Sequence, residues 1–525
     1  MTINSVTFLL FLTGLILAYY LLPKKAQWVS LLAASYLFYL LTGVRNIVFI
    51  LITTVTAFLA AQLMQRITDK TAKRLVVEKP DKAARQSIQK KNRNIKKCIL
   101  AGLLVLNFGV LAVLKYSGFV TGSLNVLLEI RGFEPIKEFS FIAPLGISFY
   151  TFQSMGYSID VFRGRVPAEK NIFKFALFVS FFPQITQGPI GRYTPLTEQL
   201  YAPHSFEYKN LSFGVQRILW GFFKKLVLAD LLLPVVNGLF TGYRQFSGTV
   251  MFIACVLRTV QSYADFSGYM DIVAGASETL GIKIAENFKR PYFSKSVAEH
   301  WRRWHITLGA WFRDYLFYPV SLSKTAAKIG RFGRKRFGVR MGKLFPSFFA
   351  LVIVWFATGL WHDASWRYIL WGLFNGLLIM LAIAFEPLFK TMKEKLRIKE
   401  NSFGWKLFRT ARTFFLICLL RVFPGAVTTK DSFLILAKIF TDFSWDFSFS
   451  RVFGSWTLTN YAVFVFAASL FLSVSLLQRK GSVRERLSRK PYAVRWLIYM
   501  VVFYTIMVFG TFQNDLLGGF AYAQF

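Results

Sequence analysis

Four histidines occur in the 525 residues: His204, His300, His305 and His362. With an ordinary pKa near 6.5, an imidazole suits a general base at neutral pH. His362 ends the apolar run Phe348–Trp361, precedes Asp363-Ala364-Ser365-Trp366, and is followed by a second apolar run, Tyr368–Phe385. An out-and-back helical hairpin is the simplest reading, and about 15 residues of helix rise roughly 22 Å. His362 then lies in the outer half of a membrane, where an ionisable group is costly unless it faces a cavity. A base that takes a proton from a hydroxyl nucleophile is one reading; an interfacial loop histidine is the other. His300 and His305 fall in AEHWRRWHITLGAWFRDYLFYP. Their spacing of five separates them by roughly 140° on a helix, so they do not share a face as a metal pair does. His204, in YAPHSFEY, reads as a surface or interfacial residue. With no HExxH, paired CxxC, Walker glycine loop or GxSxG elbow, metallohydrolase, ATPase and serine esterase readings lose their usual support and no metal is expected. Cys98, Cys255 and Cys418 make neither a disulfide framework nor a zinc spacing. The carboxylates Asp265, Asp271, Glu299 and Asp314 sit in apolar stretches near Arg302, Arg303 and Arg313. Buried ion pairs are the plain expectation for them, and orientation of His305 or His362 is the alternative.

The elements that must position these groups are membrane helices. Hydrophobic residues are 54% of the chain, aromatics 18% and charged residues 17%, with mean hydropathy +0.44, whereas soluble domains carry roughly a quarter charged residues. The apolar residues form blocks such as Val6–Leu22, Ile47–Ala61, Ala462–Leu477 and Trp496–Gly510. Matching these to bilayer thickness predicts roughly eleven to thirteen membrane segments, some re-entrant, in an all-α polytopic bundle. The formal charge of +38, from 64 Lys+Arg against 26 Asp+Glu, is gathered in Arg66–Lys97, Lys324–Lys343, Lys390–Arg412 and Arg479–Arg495. That is the positive-inside pattern, so these loops are expected in the cytoplasm and nucleic acid is not an expected partner. Counting crossings from them puts the N-terminus outside, behind a retained first helix, the loop Tyr116–Lys137 outside, and the tail Phe512–Phe525 outside. Phe178–Gly191 (FVSFFPQITQGPIG) reads either as a re-entrant segment lining a cavity or as a kinked helix. No internal repeat or separate soluble domain is evident, so residues 1–525 are expected to form a single membrane domain.

At this point the sequence resembles the membrane-bound O-acyltransferase family. The resemblance is carried by Ser262–Pro319, with SYADFSGYMDIVAGASETLGI, NFKRPYF and HWRRWHITLGAWFRDYLFYP, and by TGLWHDASWRYILWGLFNG at Thr358–Gly376. PLGISFYTFQSMGYSIDVFRG and FFPQITQGPIGRY add to it, so the core motif region is about 140–380. Length and the ending FAYAQF resemble the bacterial branch that O-acetylates extracellular polysaccharides, the alginate type. The resemblance implies a helical bundle with a tunnel to a central histidine, no bound cofactor, and an acyl thioester cosubstrate (acetyl-CoA or acyl carrier protein) arriving from the cytoplasm. The implied acceptor is an extracytoplasmic polysaccharide, or a secreted or membrane-anchored acetyltransferase partner that relays the acetyl group. His362 matches the catalytic histidine and His305 a second histidine of bacterial members; Trp301, Trp304, Asp314, Trp361, Asp363 and Trp366 are the residues expected along the acyl path or against substrate. Two departures, Asp363 where many relatives carry Gly and Asn375 where many carry His, bear on acceptor identity. Teichoic-acid D-alanylation and a polysaccharide exporter or flippase are the rival readings.

Overall fold

The computed structural model describes residues 2–512 apart from 138, 140, 445–447 and 455. The tail from 513 onward, expected outside the membrane, lies outside the described residues. The chain is all-helical; among the described residues the only strand-like feature is an antiparallel bridge between Phe288 and Trp304. Among the described residues, six helices are long and apolar enough to cross a membrane: Val44–Val77, Lys82–Ile130, Lys324–His362, Trp366–Ala384, Leu458–Lys480 and Tyr492–Phe509. Only 6% of the apolar window in Tyr492–Phe509 is buried by protein, and 17% in Leu458–Lys480. Apolar surface on that scale needs lipid rather than water against it. The protein is therefore a membrane protein. Other apolar stretches counted in the sequence form shorter helices, such as Val6–Leu21 and Gln27–Leu40.

The chain divides into two compact units, Met1–Gly214 with Ala276–Ala285, and Val215–Gly275 with Glu286–Phe525. In the first, Phe8, Phe38 and Phe182 form an aromatic core, with Phe11 edge-on to Phe182 at 5.4 Å between ring centroids. The stretch around Phe178–Gly191 is a broken helix, Ile172–Ser180 followed by Phe182–Ile185, and residues 175–191 are buried throughout. Broken backbone at depth must find partners within the protein. Ser35 Oγ accepts from Phe182 N at 3.1 Å. Gln153 uses both ends of its amide, donating to Phe178 O and accepting from Gly191 N. His204, expected at a surface or interface, is half-buried and ties helices together: its Nδ1 meets Tyr19 Oη at 2.9 Å, and Gln27 brackets its backbone N and O.

The basic segments expected as loops are largely helical. Ile47–Val77 and the 49-residue Lys82–Ile130, capped by Asp81 accepting from Ala84 N, carry the first basic cluster on a helical hairpin. The same helix runs on through Tyr116–Ile130, expected as loop, because nothing in that stretch breaks it. In the second unit, Lys324–His362 folds back on itself at Gly338, whose φ of +84° is open to glycine and strained for other residues. Long Lys and Arg side chains are good helix formers, and positive charge alone does not make a loop.

Candidate active site around His305 and His362

In the second unit, the short helix Val297–Arg303 is followed by Trp304 in extended conformation and by His305 at φ +46°, ψ +53°. A non-glycine residue in that left-handed region costs about 1–2 kcal/mol, and such strain gathers at functional positions. The turn is pinned on both sides by one segment: Lys289 N donates to Arg303 O, and Ile306 N to Asn287 O. The Asn287 side chain holds the imidazole. Its Oδ1 accepts from Thr307 N at 3.0 Å and Thr307 Oγ1 at 2.7 Å, and faces His305 Nδ1 at 3.4 Å. A backbone N–H only donates, so the shared atom is the amide oxygen, and His305 donates to it through Nδ1. In the neutral ring Nε2 is then the lone-pair nitrogen. His305 is 2% exposed, its ring edge-on to Phe266 at 4.9 Å and to Trp361 at 5.7 Å.

His362 is the last residue of the helix Lys324–His362, 4% exposed, and lies between three aromatic rings. Trp361 and Trp371 stand edge-on at 4.8 and 5.0 Å, and Tyr368 lies nearly parallel at 6.3 Å. Trp361 thus touches both histidines. The helix Trp366–Ala384 comes this close because Gly359 and Gly372 line the crossing: a Cβ at either would fall 2.3 Å from a backbone oxygen of the opposite helix. Trp301 closes the far side, packing on Trp355 and Trp371 and donating Nε1–H to Asn375 Oδ1 at 2.9 Å. Asn375 is fully buried and passes its own Nδ2–H to Trp371 O.

Not every expected residue joins this cluster. Trp304 is 1% exposed and packs on Phe288, Tyr292 and His300, with the Arg421 guanidinium 4.9 Å from its ring centre. Asp363 directs its carboxylate to Ser365 Oγ at 2.7 Å and to Arg367 at 4.0 Å. Asp314 pairs with its neighbour Arg313 at 2.8 Å. Trp366 is 53% exposed at the hairpin turn. His300 stacks between Tyr292 and Trp304 and faces Pro291 O through Nδ1, a packing position.

The carboxylates of the apolar stretches form ion pairs. Asp265 and Asp230 both hold Lys225, at 2.8 and 2.9 Å. Asp271 takes Lys224 at 2.6 Å and Arg217 at 2.9 Å, and Arg217 grips Glu286 with two nitrogens. The cationic partners were missed in the sequence, although Lys224, Lys225 and Asp230 in the otherwise apolar LWGFFKKLVLADLLLP were the available signal. Lys224 and Lys225 lie in a π-helical turn, Phe223–Ala229, and a second π turn, Arg313–Phe317, follows the His305 segment. Such turns rotate side chains off the regular helical register and recur at functional sites.

A cavity of about 880 Å³ reaches Asn287, the residue whose side chain faces His305. Asn287, Ile306, Tyr263 and Met270 form its inner wall, and Lys289, Arg290, Arg303, Arg479 and Arg484 give it a cationic rim. The side chain between its wall and the His305 ring is Asn287. The lining also holds Asp271 and Glu286, paired with Arg217 and Lys224, so the cations remain in excess and suit an anionic molecule.

A family model described as MBOAT, membrane-bound O-acyltransferase family, matches residues 6–332, a span that contains His305 and ends before His362. The chain is 36% identical over 293 residues to the Azotobacter vinelandii protein named "Probable alginate O-acetylase AlgI", covering 55% of each. It is 29% identical over 309 residues to the Peptidoglycan O-acetyltransferase of Helicobacter pylori, covering 54% of this chain and 55% of that one. It is 28% identical over 261 residues to the Teichoic acid D-alanyltransferase of Bacillus subtilis, covering 48% and 62%. The chain spans about half the length of the curated relatives it matches.

Proposed function

The chain belongs to the membrane-bound O-acyltransferase family, and from that premise we propose that it moves an acetyl group from a cytoplasmic thioester to hydroxyls of an extracytoplasmic cell-envelope polysaccharide, or to a partner that relays it. The observation that carries the reading is the pair of buried histidines sharing Trp361, one of them held by Asn287, which also lines a cavity with a cationic rim. His362 is the general base. It takes the proton of the acceptor hydroxyl as that oxygen attacks the thioester carbonyl carbon; the C–S bond breaks, and the proton passes to the departing thiolate. His305, fixed through Nδ1 by Asn287, positions the acyl carbonyl or relays that proton through Nε2. The cationic rim attracts the donor's negative charge, whether the phosphates of coenzyme A or an acidic carrier protein. Trp301, Trp361 and Trp371 exclude water from the histidine, which guards the thioester against hydrolysis. In this reading the basic helical segments face the cytoplasm of a cell inner or plasma membrane and both termini lie outside.

The test is the ester content of purified envelope polysaccharide from cells expressing the natural protein or His362→Ala at matched membrane levels. General-base catalysis contributes roughly 10²–10⁴-fold, so the ester is expected to fall at least a hundredfold. Acetate in the hydrolysate supports acetyl transfer, whereas D-alanine moves the reading to teichoic-acid D-alanylation. Unchanged ester per polymer with altered polymer export would show a transporter instead.

A further inference from the structure

A second cavity, of about 480 Å³, lies in the first unit where the basic ends of the helices Ile47–Val77 and Lys82–Ile130 meet the end of Ile147–Phe162. Its polar lining comprises Thr68, Thr71, Asn92, Arg93, Lys96 and Arg163, together with Gln89, and includes no carboxylate. Three cations therefore face one small space. Arg93 and Lys96 sit three residues apart on one helix face, a like-charge spacing that destabilises a helix unless an anion joins them. Among the described residues, Arg93 makes no ion pair, and Lys96 donates only to the hydroxyl of Thr68, at 3.0 Å. Asn92 Nδ2 donates to Thr71 Oγ1 at the next turn, and both threonine hydroxyls donate back to helix carbonyls. These bonds hold Asn92 and Lys96 in place along the cavity wall. The site also has a defined depth. Thr68 comes one turn after Met64, where the apolar run of its helix ends, and Lys96 comes two residues before Cys98, where the apolar run of the next begins. The end of an apolar run is where a membrane helix meets the headgroup layer.

We propose that this cavity binds a phosphate group, held by Arg93, Lys96 and Arg163 and by the amides of Asn92 and Gln89. Guanidinium and ammonium groups together with neutral donors and no competing carboxylate are the chemistry that takes a phosphate mono- or diester. Two sources carry that group at this level: the headgroup of an anionic phospholipid, and phosphate free in the adjoining water. The site is distinct from the cavity that reaches Asn287, and its occupation does not depend on the acyl-transfer reading.

The full chain in maltoside micelles is titrated calorimetrically with dihexanoyl phosphatidylglycerol, dihexanoyl phosphatidylcholine and inorganic phosphate. The same titrations use Arg93→Gln/Lys96→Gln, and Lys96→Arg, which keeps the charge. Circular dichroism and a single elution peak verify folding of each. The expected result is phosphatidylglycerol binding that weakens at least tenfold in the double variant, is retained in Lys96→Arg, and exceeds phosphatidylcholine binding. Inorganic phosphate binding as tightly, with the same dependence on the variants, supports the site and identifies free phosphate as its source. Binding of neither, or binding unaffected by removal of both charges in a folded variant, overturns the proposal.

Discussion

His305 and His362 are related through the rings between them. Trp361 is in contact with both, and Trp301, Trp371 and Tyr368 complete the enclosure of His362. Asn375 anchors that enclosure. Replacing it with Leu, of the same branched shape but bulkier and without a polar atom, leaves the buried Trp301 N–H without its acceptor. An orphaned buried donor costs about 1–3 kcal/mol. The variant should unfold at lower temperature in detergent, with the tryptophan emission of the native state shifted, whereas Asn375→His, which keeps an acceptor, should recover much of the loss. A native-like transition in Asn375→Leu would show that the Trp301 bond contributes little. His305 was recognisable from its motif, but its left-handed backbone and its hold on Asn287 were not. Eighteen residues separate the two partners, and nothing in local pattern specifies that pairing.

At the scale of elements, the hairpin of Lys324–His362 and Trp366–Ala384 was legible as two apolar runs around a polar turn. Its closeness was not. Gly359 and Gly372 are small in the sequence, but only the crossing shows that a Cβ at Gly372 would lie 2.3 Å from Trp355 O. Small residues at such crossings let backbones approach and gain packing in a membrane. Gly372→Ala is expected to destabilise by about 1–3 kcal/mol through overpacking and to lower acyl transfer by shifting the helix that carries Trp371. Gly102→Ala, on a helix where nothing lies within 4 Å of the added Cβ, is the matched control and should be neutral or stabilising by about 0.4–1 kcal/mol. Equal thermal stability of the two variants would count against the tight crossing. The basic segments teach the opposite lesson. Charge density suggests loop, yet Arg66–Lys97 and Lys324–Lys343 are mostly helix, since Lys, Arg, Ala and Gln favour helix.

Over the whole molecule, part of the excess of positive charge converges on one cavity. Arg479 and Arg484 come from one basic cluster, Lys289, Arg290 and Arg303 from the motif region, and together they ring a single cavity. If that cavity receives the donor, Arg479→Gln/Arg484→Gln should raise the donor KM about three- to tenfold with kcat nearly unchanged, the signature of lost ground-state and transition-state attraction in equal measure. The natural protein should show a KM that climbs between about 50 and 300 mM salt, and the variant a flatter dependence. Steady-state transfer assays in micelles read both. A KM indifferent to both salt and substitution would remove the rim from donor capture.

Composition alone determined that this is a helical membrane protein, because a bilayer imposes length and apolarity on every helix that crosses it, and both are visible in one dimension. The scarcity of histidine and the motifs around His305 and His362 made the candidate site findable. Only the tertiary structure decided which partners each group takes: Asp265 and Asp271 with Lys225 and Lys224, Asn287 with His305, Trp366 exposed and Trp371 against the imidazole. Those choices depend on distances between helices remote in sequence. Ion pairs, ring contacts and hydrogen bonds fall off within a few ångströms, so their assignment waits on how the chain packs.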